Sequence, residues 1–312
     1  MAHTMQNKVV LLFGAGASKG ATHILPYDPP LGIEVYDRLA ECFPKEWGPG
    51  SQLSRYSEGL RQNFEKTMFD EVCFWNPSLS ILEWQRSMAL YFSRFTPEPA
   101  GEDLYSKLLL FLRDRGKIRD VVFASVNYDC IFEQAAYRLG LQVDYSGGEA
   151  RENVIRVLKV HGSCNFITEN IERLRPYLKS SNSAIECKID YLQPVGIEQV
   201  LTSKFSNPYA PYYPVMSLYS FGKNSIVAGG KIQEIRNAWY QYVLNTSLVA
   251  IIGVSPNKDD SHIWKPMQDT SAKLFYIGSQ CHFKKWQVAN PNFKYVGERF
   301  NEAFDSFLGL LH

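Results

Sequence analysis

The sequence predicts an α/β protein with a doubly wound parallel sheet and helical and irregular insertions. Two patterns carry that prediction. Short apolar runs rich in Val, Ile and Phe recur without polar alternation, as strands buried on both faces of a parallel sheet do. Between them lie segments whose apolar residues repeat every three or four positions, the period of amphipathic helices. Strands alternating with helices imply a doubly wound sheet.

The strands are read at VVLLF (9–13), VVFASVN (121–127), VIRVLKV (154–160), LVAIIGV (248–254), KLFYIG (273–278) and FKYVG (293–297). The helices are read at IEVYDRLAECF (33–43), LYSKLLLFLRDRG (104–116), DCIFEQAAYRLG (129–140) and ERFNEAFDSFLGLL (298–311). Two stretches break the alternation. Residues 45–100 carry helical patterns with aromatic faces and no strand, which predicts a helical insertion. Residues 164–247 start polar and pass through the uncharged, aromatic FSNPYAPYYPVMSLYSF (205–221). There Pro208, Pro211 and Pro214 exclude regular helix and central strand. This second stretch is expected to be an insertion, a small subdomain or a lid, within one domain spanning 1–312.

Composition narrows the function classes. The chain has 312 residues, 45% of them hydrophobic, with 33 basic and 32 acidic side chains and a formal charge of +1. A nearly neutral protein has no global field for a phosphate backbone or an anionic membrane, so no direct nucleic-acid or membrane partner is expected. No apolar run approaches the roughly 20 residues of a membrane span. Lys8, VVLLFGAGA and Ser18 together imitate a short signal peptide, although the same run is better explained as a first strand. The opening MAHTM holds a second methionine and is set aside. Cys42, Cys73, Cys130, Cys164, Cys187 and Cys281 form no CxxC pair, which suits reduced thiols and a cytoplasmic location.

Three strand ends carry polar residues of possible chemical use. The first strand ends in GAGAS, Gly14 to Ser18, either a phosphate cradle or a tight turn; Lys19 stands where a full GxGxxG needs glycine. The strand at 121–127 delivers Asn127 and Asp129, with helix capping as the ordinary reading of Asp129. His161 follows the run at 154–160, with Gly162 turning the chain, and an imidazole there is placed to take a proton near neutral pH. Asn127 and His161 are expected to face a solvent-filled crevice.

In this order, GAGAS (14–18), VNYD (126–129), VHGS (160–163) and IIGVS (251–255) resemble the motifs of the sirtuin superfamily, and DSHI (260–263) is similar to a segment of its divergent bacterial members. The resemblance covers about 1–42, 120–165 and 248–312. It implies a Rossmann-like fold and NAD consumed as a substrate. It assigns the phosphates to Gly14, Ala15, Gly16 and Ser18, and the nicotinamide ribose to Asn127. His161 becomes the base, Asp129 a further ribose-side contact, and Gly253 and Ser255 face the adenosine half. The chain departs from the protein-deacylating members in lacking the two CxxC pairs of their zinc ribbon, so no metal is expected. It also reads KGATHILPYDPPLG where they carry an Ile-Pro-Asp-Phe-Arg run.

The resemblance therefore implies an NAD glycohydrolase, an effector of bacterial anti-phage defence that acts by depleting NAD. An NAD or ADP-ribose sensor without turnover stands as the alternative, and a protein deacylase as a third reading. Such an effector must be silent until triggered, so an activating protein partner or a homo-oligomer is expected, with the aromatic stretch 205–221 as the candidate surface or as a lid.

Overall fold

The computed structural model describes residues 9–73, 80–148, 151–169, 179–181, 184–186, 193–201, 212–217, 228–257 and 260–312. At its centre seven strands form an all-parallel sheet: β1 (Val9–Phe13), β2 (Val121–Ser125), β3 (Gln142–Asp144), β4 (Val154–Lys159), β5 (Leu248–Ile252), β6 (Lys273–Ile277) and β7 (Phe293–Gly297). Their spatial order is β7-β6-β5-β1-β2-β4-β3. Every residue of β2 and β5 is buried, the reason these strands read as unbroken apolar runs. The chain runs outward from β1 through β2 to the edge strand β3, steps back in as β4, then returns beside β1 as β5 and runs the other way. That reversal between β1 and β5 is the switch point where open α/β sheets bind ligands.

The covering helices include α1 (Ala15–Lys19), α2 (Leu104–Asp114), α3 (Ile131–Arg138), α4 (Gly229–Leu244), α5 (Ser261–Asp269), α6 (Gln280–Ala289) and α7 (Phe300–Leu310). Side chains cap two of their starts. Asp103 accepts the Ser106 amide at 2.9 Å and Ser279 accepts the His282 amide at 3.3 Å, satisfying donors that a first helical turn leaves open. Strands β2 and β4 end earlier than their apolar runs. Val126 and Val160 still donate to the neighbouring strands, at Phe13 O and Ser125 O, before the chain turns out of the sheet.

Between 45 and 100 the described residues form helices at Ser57–Gln62, Phe64–Thr67 and Ser80–Phe92, and no strand occurs there before the two-residue Thr96–Pro97. Buried Trp47 anchors this region, stacked on Phe64 with centroids 5.8 Å apart and donating to Ser87 Oγ at 2.7 Å. After His161 the chain forms an antiparallel sheet of Gly162–Glu169, Gln193–Pro194 and Tyr212–Met216. Pro214 sits in the last of these, an edge strand, where a missing amide donor is tolerated. The rest of the aromatic stretch 205–221, other than Ser217, lies outside the described residues. Helix α4 falls within the stretch read as an insertion, yet it packs on the main sheet, where Arg236 Nε donates to Val160 O at 2.9 Å. Among the described residues no helix is long and apolar enough to cross a membrane.

Candidate active site

The Gly-rich turn is shaped by its neighbour β5. Gly14 N donates to Ile252 O at 2.9 Å and Gly16 N to Gly253 O at 3.0 Å, which draws the two backbones together. A Cβ on Gly253 would stand 2.1 Å from Ala17 N, and one on Gly14 would stand 2.6 Å from Gly253 O. Gly253 also holds a φ of +64°, a left-handed conformation that favours glycine. The glycines therefore serve backbone packing at the switch point. The amides of Ala17 and Ser18 turn back to Gly14 O, so four amides of Gly14–Ser18, excluding that of Ala15, are committed within the protein.

Ser18 ties this turn to the end of β2. Its hydroxyl accepts from Asn127 Nδ2 at 2.9 Å, donates to Asp129 Oδ1 at 3.4 Å and lies 3.1 Å from the Tyr105 hydroxyl. Ser18, from GAGAS, and Asn127 and Asp129, both from VNYD, thus share one network. Asp129 also accepts the amide of Ile131, the first residue of α3, at 3.2 Å, although Cys130 and not Asp129 holds the N-cap position. Burial pushes its carboxyl above the usual range, although the Lys159 ammonium pulls the other way.

His161 leaves β4 two residues beyond Lys159, which pairs in register with Ser125; Asn127 stands two residues beyond Ser125. The two side chains are therefore carried by the ends of adjacent strands. They do not face open solvent as expected: Asn127 is 8% and His161 3% exposed. The physical reason is the second sheet. Ser217 N donates to His161 O at 2.7 Å and Tyr128 OH donates to Ser217 O at 2.9 Å, bringing the end of Tyr212–Met216 against these strand ends. Gly162 makes this possible, because a Cβ at its φ of +77° would stand 2.1 Å from Val215 O.

One functional-looking partner escapes the sequence reading. His262, on the first turn of α5, brings its Nε2 to 2.8 Å from His161 Nε2, with ring centroids 4.9 Å apart at an interplanar angle of 63°. Asp260 completes the group, one ligand-type atom of each of the three lying within 4.8 Å of the others. Among the described residues this is the one grouping with the donors to hold a metal. Two features oppose an ion. The 2.8 Å contact is a hydrogen-bond distance, and the Arg236 guanidinium already brings a positive charge to Asp260. Burial pushes Arg236 down to about 10, with Asp260 holding it from falling further.

Beneath this group Lys159 lies fully inside, donating to Asp129 O at 2.6 Å and paired with Glu133 at 3.2 Å. Burial pushes the ammonium down, but Glu133 foremost and Asp129 with it push it further up, for a net rise. Cys130 and Cys164 are buried free thiols with sulfurs 3.7 Å apart, and burial raises the Cys164 thiol, which makes it a poor nucleophile. Cys187 lies outside the described residues.

On the other side of the switch point Ser255 Oγ lies 3.3 Å from His282 Nε2. Gly253 therefore belongs to the turn around Gly14–Ser18, whereas Ser255 contacts the start of α6. Beyond α1 a cleft of about 260 Å³ is lined by Lys19, Tyr27, Asp28, Pro30, Glu34 and Arg38. Lys19 spans it, bonded to both Glu34 carboxylate oxygens at 2.9 and 2.7 Å.

No protein-family model matches the chain, and no curated protein matches it. Among solved structures it is similar to a chain described as a Sir2 homologue mutant–ADP-ribose complex. The two are 12% identical, and the match covers 97% of this chain and 90% of that one with a TM-score of 0.48.

Proposed function

We propose that the protein is an NAD glycohydrolase, cleaving the nicotinamide–ribose bond with water to give nicotinamide and ADP-ribose. The observation that carries this reading is the joining of Ser18, Asn127 and Asp129 in one network beside the switch point, with His161 on the adjacent strand end. The water oxygen bonds to the ribose C1′, the C1′–N electron pair leaves with neutral nicotinamide, and the water proton passes to His161. Asn127 orients the ribose or the water, each polar role being worth roughly a hundredfold in rate. With four of the five turn amides committed, Gly14, Ala15, Gly16 and Ser18 act on the diphosphate through close backbone approach and the Ala15 amide. Gly253 and Ser255 take the adenosine half, and Asp129 acts on the ribose side through Ser18.

The buried state of Asn127 and His161 favours a protein that is silent until opened. An activating partner or a homo-oligomer would do this by moving the part of segment 164–247 that precedes α4 as a small subdomain or lid. In this reading the cell is bacterial, the compartment cytoplasmic and the role anti-phage defence by NAD depletion. The same burial also favours a second reading, a sensor that holds NAD or ADP-ribose without turnover. Mass spectrometry of nicotinamide, after incubating NAD with the protein alone and with cell lysate, separates them: release supports the glycohydrolase, and bound but intact NAD supports the sensor.

A further inference from the structure

We propose that His262 is a positioning residue for His161, accepting the His161 Nε2 hydrogen at its own Nε2 and so holding the basic lone pair of His161 on Nδ1. This rests on reading His161 as the base. The first support is geometric. The rings meet edge to face, not stacked, with Nε2 atoms at 2.8 Å, so the contact is an in-plane hydrogen bond between two imidazoles. One of the two must donate and the other accept.

The second support concerns how firmly His262 is held. Its carbonyl accepts from Trp239 Nε1 at 3.0 Å, and its helix is started by Ile263 and Trp264 donating to Asp260 O at 2.8 Å. The third fixes the direction. His161 Nε2 is taken up by His262, so a neutral His161 that serves as the base keeps its lone pair on Nδ1 and carries its hydrogen on Nε2, facing His262. When His161 takes a proton on Nδ1, the imidazolium keeps its Nε2 hydrogen bond to His262, and no proton has to leave the pair, as in base–orienter arrangements generally.

The test uses full-length protein labelled with ¹⁵N-histidine, together with turnover under activating conditions. In the parent, His161 should carry its hydrogen on Nε2. His262→Ala should abolish that preference and lower kcat roughly a hundredfold with KM changed by less than about twofold. His262→Gln should restore both, because the Gln Oε1 reaches the place of an imidazole Nε2 and can accept the same hydrogen. Unchanged spectra and kcat in His262→Ala, or a parent His161 protonated on Nδ1, would overturn the proposal. If the parent cleaves no NAD, the glycohydrolase reading fails, while the spectra still decide the histidine pair.

Discussion

Lys159 and His161 stand two residues apart at the end of one strand, both almost fully buried, and they differ in every other respect. The Lys159 ammonium sits between Glu133 and the Asp129 carbonyl, both from the segment following β2. His161 meets His262 and Asp260, which come from the far half of the chain, after β5. The first cluster pins α3 to β4 within one half of the sheet. The second joins the two halves across the switch point, where a ligand would enter. Burial of a polar side chain thus marks no function by itself; the origin of its partners distinguishes a buried anchor from a site.

The sharpest way to break this contrast is to remove the anchor. Lys159→Met should destabilise the protein by about 3–5 kcal/mol in urea denaturation, because Glu133 is left as an uncompensated buried charge. The double variant with Glu133→Leu should recover most of that loss. A single variant as stable as the parent would show that the pair does not hold α3 on β4.

The functional side should respond in the opposite sense. Asn127→Ala and His161→Ala should each lower NAD cleavage roughly a hundredfold, about 2.7 kcal/mol of barrier, while the circular dichroism spectrum stays native. Near-parental turnover in either variant removes that residue from the mechanism. Gly253→Ala touches both halves at once. With a Cβ 2.1 Å from Ala17 N at a φ of +64°, it should cost about 1–3 kcal/mol of stability. An unaltered melting temperature would mean that the turn around Gly14–Ser18 yields without strain.

The smallest effect is the alkaline one. Lys159 has a raised pKa in the folded chain, so its contribution is complete below the unfolded value of about 10.4 and declines as pH rises beyond it. Denaturation midpoints of the parent should therefore fall above that pH more steeply than those of the Lys159→Met/Glu133→Leu variant. Parallel curves would mean that the pair stores no charge-dependent stability.

The sheet is legible in the sequence because its strands are buried on both faces and read as apolar runs. Strand β3, QVD, is not: it is three residues long, at the edge, and two of its residues are polar. Helix α4 is hidden in a stretch whose prolines argue against regular structure, and α5 carries Pro266 within it. At the site, Ser18, Asn127 and His161 are legible as polar residues at strand ends. His262 is not, because it lies 101 residues from His161 and nothing local joins them; the DSHI resemblance is the one signal for it. The Lys159–Glu133 pair gives no signal, since a lysine within an apolar run finds its partner only through topology.

In the proposed reaction water, not an acylated peptide, is the acceptor. The most direct measurement follows nicotinamide and ADP-ribose, linear or cyclised, from the activated protein and NAD, with and without an acetyl-lysine peptide. Equal amounts of both products are predicted without peptide, and no change on adding it. Nicotinamide formed only in the presence of peptide, in step with a deacetylated product, would contradict the glycohydrolase.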